Sequence, residues 1–192
     1  SVIPCTFNSS FFLKAPDERA YGEVKKRLGF SEEDVVLVYS GSSAAWQSLG
    51  LVDDLLMNIL RSNPNVKVLL LVAGGAKEMK VVQEFGARIV SRSVTEKEMP
   101  SFLSACDYGL LVRERSETNE VASPVKFAEY LFSGLKVLIS EGIGDYSEFT
   151  RQNDCGHVII AGEETVRLSR TDVGTRSRLH KLAIDRFSKS AF

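Results

Sequence analysis

Six short apolar runs punctuate this chain, at 35–39, 66–72, 87–91, 108–112, 137–139 and 158–160, with stretches of helical character between them. Apolar runs that lack polar alternation suit strands buried on both faces, and Val35-Val36-Leu37-Val38-Tyr39 is the plainest of them. Buried strands that alternate with helices need right-handed crossovers. The expected fold is therefore α/β, a doubly wound Rossmann-like parallel sheet of about six strands with helices on both faces. Such sheets bind ligands beyond the carboxyl ends of their strands, which singles out the loops after Tyr39, Ser91 and Val112.

The intervening segments carry their own stop signals. Pro16 and Asp17 open a helix that Gly29 ends, Leu49 to Arg61 is stopped by Asn63-Pro64, and Ala76 to Phe85 is stopped by Gly86. Thr95 and Glu98 form a capping box ahead of a helix from Met99 to about Ala105. Residues 171–192 read as a basic closing helix with Leu179, Leu182, Ala183 and Phe187 on its apolar stripe and His180 expected at the surface. His157, beside the last strand, reads as a packed or capping histidine.

The chain's 192 residues, 44% of them hydrophobic, suffice for one well-cored domain and not for two of ordinary size, so residues 1–192 are taken as a single unit. With 24 basic and 25 acidic residues the formal charge is −1, which gives no bulk attraction to nucleic acid or an anionic membrane. The three cysteines, Cys5, Cys106 and Cys155, show neither CxxC nor metal spacing and suit a reducing cytosol. No apolar run approaches the roughly 20 residues of a membrane span. The start at Ser1, inside what reads as a strand, suggests an excised domain.

The richest stretch runs from Arg113 to Ser140. A polar loop of about ten residues, long for a compact domain, leads to Ser123, an N-cap candidate, and Pro124, suited to a first helical position. The helix continues through Lys126 and Glu129 to Ser133, Gly134 closes it, and Val137-Leu138-Ile139 forms the next strand. Lys126 and Glu129 project from one side of a nearly apolar helix. One reading puts the Lys126 ammonium and the free N–H groups near Ala122, Ser123, Pro124 and Val125 on a phosphate, with Glu129 accepting hydrogen bonds from ribose hydroxyls. The plain alternative is an i,i+3 surface pair worth roughly 0.2–0.5 kcal/mol. A lysine in a first turn opposes the helix dipole, which favours an anion there. Gly41-Ser42-Ser43 offers a second phosphate loop, or an ordinary strand-to-helix connection. Trp46, close behind it, packs in the core, on a sugar or against a partner domain.

The segment Ser123-Pro124-Val125-Lys126-Phe127-Ala128-Glu129-Tyr130-Leu131-Phe132-Ser133-Gly134-Leu135-Lys136-Val137-Leu138 resembles the nucleotide-sugar motif of group 1, family-four-like retaining glycosyltransferases. Val2-Ile3-Pro4 with Phe11-Phe12, Val38-Tyr39-Ser40-Gly41, and Ala105-Cys106-Asp107-Tyr108-Gly109-Leu110-Leu111 extend the likeness over nearly the whole chain. The resemblance implies the C-terminal, donor-binding domain of a two-domain glycosyltransferase B enzyme, excised from its N-terminal acceptor domain. It implies a nucleotide-diphosphate sugar, a uridine one by preference, as donor, and a carbohydrate or lipid-linked acceptor. It places the protein in the cytoplasm, with any approach to the inner face of the membrane made through the missing domain, and it asks for no metal and no other cofactor.

By the same resemblance Lys126 would stabilise the leaving diphosphate, and Arg92, Ser93 and Val94 would hold the nucleobase, with Arg92 otherwise an exposed loop cation. Where relatives place an Arg and a Lys after the loop glycine, this chain has Ser42, and Trp46 or Gln47, which leaves positive charge to Lys126 and a neighbour such as Arg113. Eight positions before Glu129, where many relatives carry a glutamate that touches the donor sugar, stands Val121. Either Glu120 serves from a loop one residue different, or backbone amides of 121–123 replace it, or donor chemistry is lost. A sugar-nucleotide epimerase of the same fold, or a non-catalytic nucleotide-binding or regulatory domain, are the alternatives.

Overall fold

A computed structural model describes residues 18–41, 49–72, 76, 78–113, 125–160 and 166–188. In chain order the elements are α1 (Glu18–Arg27), β1 (Val35–Gly41), α2 (Leu49–Ser62), β2 (Val66–Val72), α3 (Lys80–Phe85), β3 (Ile89–Arg92) and α4 (Met99–Ser104). They continue with β4 (Tyr108–Leu111), α5 (Val125–Phe132), β5 (Lys136–Ser140), α6 (Tyr146–Gln152), β6 (Gly156–Ile159) and α7 (Val173–Phe187). All strand pairs are parallel and the order across the sheet is β3-β2-β1-β4-β5-β6. The sequence-based expectation of a six-stranded doubly wound sheet holds. The order reverses between β1 and β4, where ligands of such sheets bind.

Alternate residues of each strand feed two cores. Val36 and Val38 face a cluster with Leu28, Leu103, Phe127, Tyr130, Leu179 and Phe187, so α1, α4, α5 and α7 cover one side. Val35, Leu37 and Tyr39 face a second cluster with Val52, Leu56, Leu60 and Val81, so α2 and α3 cover the other. No described helix is long and apolar enough to cross a membrane.

Two of the glycine stops act as expected. Gly29 and Gly134 take φ of 77° and 75°, and in each case the next residue's N–H reaches back to close the helix: Phe30 to the Lys25 carbonyl and Leu135 to the Tyr130 carbonyl, both at 2.9 Å. Gly86 follows the last residue of α3, Phe85, as expected, but without the left-handed conformation of the other two. It stays right-handed at φ −52° and the chain tightens into a 3-10 turn, Gly86–Arg88, so β3 begins at Ile89 rather than 87. Helix α3 also starts later than 76, at Lys80, because Asp53 on α2 caps it: its two carboxylate oxygens take the Lys80 and Val81 N–H groups at 2.9 and 2.8 Å. The Thr95–Glu98 box forms by half. Glu98 reaches back to the Thr95 N–H at 2.9 Å, but the Thr95 hydroxyl donates to Glu98 instead of accepting from it.

The closing helix carries the largest correction. Its apolar stripe is buried as expected, but His180 is buried too, with Nδ1 2.5 Å from the Phe132 carbonyl at the end of α5. Arg176, on the same helix, stands over the Tyr21 ring and pairs with Asp107 at 2.7 Å. Asp107 is 1% exposed and also takes the N–H groups of Val36 and Thr171, while Lys25 stands 3.6 Å away. This buried knot ties α1 and α7 to the starts of β1 and β4. His157 lies within β6, its ring stacked on Tyr108 at 6.4 Å.

Candidate functional site

The site is set by where β1 and β4 part. Their ladder holds only through Leu37 with Tyr108 and Val38 with Gly109, whereas β1 follows β2 as far as Gly41 and β4 follows β5 as far as Leu111. Beyond Val38 and Gly109 a mouth opens at the carboxyl edge of the sheet. Helix α5 lies over it, its first residue Val125 40% exposed and its apolar face buried through Phe127, Ala128, Tyr130 and Leu131.

Lys126 and Glu129 project from α5 toward this mouth, both half-buried, and they do not pair with each other. The Lys126 Nζ donates to the backbone carbonyl of Ser40, the penultimate residue of β1. Burial pushes the Lys126 pKa down, the Arg113 charge adds to this, and Glu129 works against it. Glu129 accepts no hydrogen bond among the described residues, and burial raises its pKa, with Glu96 adding and Lys126 opposing. The i,i+3 surface pair offered by spacing alone is thus not what forms. The mouth thus holds an ammonium resting on a carbonyl and a carboxylate that has no donor among the described residues.

Of the other candidates, Gly41 ends β1 and its space is taken by the Tyr39 ring. Arg113 follows β4, with its N–H on the Ser140 hydroxyl at 3.0 Å and its charge felt at both Lys126 and Tyr39. Arg92 and Ser93 are exposed at the end of β3, and Val94 packs on the core. Among the described residues the Arg92 guanidinium donates to the neighbouring Ser91 carbonyl, at 3.2 Å. Ser42, Ser43, Trp46, Gln47, Glu120, Val121, Ala122, Ser123 and Pro124 lie outside the described residues. Among the described residues no three His, Cys, Asp or Glu side chains converge as a metal site.

Sequence reasoning missed Ser40 and the hydroxyl of Tyr130. The two hydroxyls are 3.0 Å apart, and Tyr130 also donates to the Leu110 carbonyl at 3.4 Å. A polar residue closing an otherwise apolar strand was the available signal for Ser40.

A cleft of about 940 Å³ opens at the opposite edge of the sheet, lined by Tyr21, Lys26, Glu32, Arg170, Asp172 and Arg176. It mixes both signs of charge and contains none of the candidate residues.

The fold has counterparts among solved structures. Anabaena HepE, crystallised with UDP-glucose, aligns with a TM-score of 0.68 at 16% identity, over 97% of this chain and 53% of that one. A glycosyltransferase from Rickettsia africae aligns at 0.66 and 11% identity, over 99% and 53%. The C-terminal domain of LpcC, a group 1 glycosyl transferase of Francisella tularensis, aligns at 0.56 and 11% identity, over 93% of this chain and 95% of that one. The chain has the fold of these glycosyltransferase domains. It spans about half the length of the HepE and Rickettsia proteins. No protein-family profile and no curated protein matches the sequence.

Proposed function

We propose that this chain is the donor-binding, C-terminal domain of a two-domain retaining glycosyltransferase that uses a nucleotide-diphosphate sugar, a uridine one, to build a polysaccharide or glycolipid. The observation that carries this reading is the pair on α5: Lys126 resting on a β1 carbonyl and Glu129 with no donor among the described residues, both at the mouth between β1 and β4. A diphosphate would take the free N–H groups of the Lys126 ammonium, and ribose hydroxyls would donate to Glu129. HepE holds UDP-glucose on the same fold.

As the bond between the sugar's anomeric carbon and the diphosphate breaks, negative charge grows on the leaving group. Lys126, with Arg113 nearby, the α5 N-terminus around Ser123 and the Gly41 loop, would stabilise that charge in a half-buried setting where it counts for more than in water. The reading therefore asks for no metal. Glu120 would touch the donor sugar, and Arg92 to Val94 would meet the base. Acceptor groups, carbohydrate or lipid-linked, belong to an N-terminal domain, as does any contact with the inner face of a membrane in the cytoplasm; nucleic acid is no partner.

The test is calorimetric titration of the protein with UDP and GDP, repeated with Lys126→Ala and Glu129→Ala. Binding of UDP, weakened about tenfold or more by each substitution, is the expected result, since each removes a charged hydrogen-bonding group. Unchanged binding in both variants overturns it.

A further inference from the structure

Tyr130 stands where β1 and β4 separate. Its hydroxyl spans the mouth from the Ser40 hydroxyl at 3.0 Å on one side to the Leu110 carbonyl at 3.4 Å on the other, two positions past the last ladder pair on β1 and one past it on β4. Its ring sits on Gly109, and all of it is buried. A hydroxyl has one proton to give. With Tyr130 donating to Leu110, Ser40 donates to Tyr130, and both hydroxyl protons of the relay are used.

One turn earlier on the same helix face, Lys126 donates to the carbonyl of that same Ser40. Helix α5 therefore grips one residue of β1 at two points, the hydroxyl through Tyr130 and the backbone carbonyl through Lys126. Ser40 is 4% exposed, so water offers neither group an easy substitute. Fixing the Ser40 peptide fixes the carbonyl on which the ammonium rests. A long lysine side chain otherwise gives up rotamer freedom when it binds a ligand, and a lysine already held has less to give up.

We infer that Tyr130 is a positioning residue of the nucleotide site: through Ser40 it sets where the Lys126 ammonium stands, and so prepares the diphosphate end of the site without touching the ligand. The inference rests on the proposed function, because it assigns the preparation to the diphosphate half of that same site.

The test compares UDP with uridine, which lacks the diphosphate, on the wild-type protein, Tyr130→Phe and Ser40→Ala. Tyr130→Phe keeps the ring on Gly109 and removes only the hydroxyl. Both variants are expected to weaken UDP binding by about fivefold, the worth of one buried hydrogen bond, and to leave uridine binding as it was. In a Lys126→Ala background Tyr130→Phe is expected to add nothing, since the group it positions is gone. A merely structural role would lower UDP and uridine together, or would add fully to Lys126→Ala; either result overturns the inference, as does UDP binding unchanged in both single variants. If the wild-type protein binds no UDP, the functional reading itself falls, and the inference with it.

Discussion

Gly109 and Tyr130 meet with no room for a methyl group between them: a β-carbon on Gly109 would stand 2.3 Å from two carbons of the Tyr130 ring. The glycine sits in β4, the tyrosine in α5, and their contact sets how closely the site's helix approaches the sheet. Gly109→Ala must push α5 outward or tilt the ring, at a cost of about 1–3 kcal/mol for overpacking. Chemical denaturation should show that loss, and UDP binding should fall with it because Lys126 moves with the helix. Wild-type stability in Gly109→Ala would show that the helix has slack.

Glu129 links the site to pH. Burial raises its folded pKa above the ordinary glutamate value of 4.5, so just above that value the folded chain holds a proton the unfolded chain has released. Stability attributable to this group falls as pH rises from the ordinary glutamate value through the raised folded one. Glu129→Gln should therefore raise the thermal midpoint at neutral pH, with the gain vanishing as the pH is lowered past the ordinary glutamate value. A gain that stays constant with pH would mean the carboxylate is not the cause.

Asp107 holds the far edge of the sheet. Replacing it with alanine leaves the Arg176 guanidinium, 4% exposed, and the Lys25 ammonium, 5% exposed, without their carboxylate. A loss of about 3–5 kcal/mol is expected, measurable by urea titration, because an uncompensated buried charge costs more than the pair contributed. Adding Arg176→Met to Asp107→Ala should recover part of it.

Asp53 gives a smaller and cleaner case. Asp53→Ala orphans two N–H groups at the start of α3, and a loss of about 0.5–2 kcal/mol is expected, as for other helix caps. Hydrogen exchange should locate it, with faster exchange at Lys80 and Val81 and little change in β1.

Much of the site was legible in the residue order. The α5 helix, its glycine stop at Gly134 and the isolation of Lys126 and Glu129 on an apolar helix all follow from spacing, because helix period and turn chemistry are local. The partner of Lys126 was not legible. Spacing offered Glu129 three residues away; the structure supplies Ser40, 86 residues away. His180 was misjudged for the same reason, and Arg176 was not singled out: the period of α7 says which residues share a face, but not that a second, polar face meets Asp107 and the Phe132 carbonyl.

The order of residues was enough to specify six strands alternating with helices, and hence the parallel sheet, since buried strands must be apolar throughout and crossovers have one hand. Where β1 and β4 part, and which groups face each other across that mouth, came from packing in three dimensions. Those contacts join residues distant in the chain, and their geometry depends on how closely α5 can settle over Gly109, a matter of packing that no local pattern records.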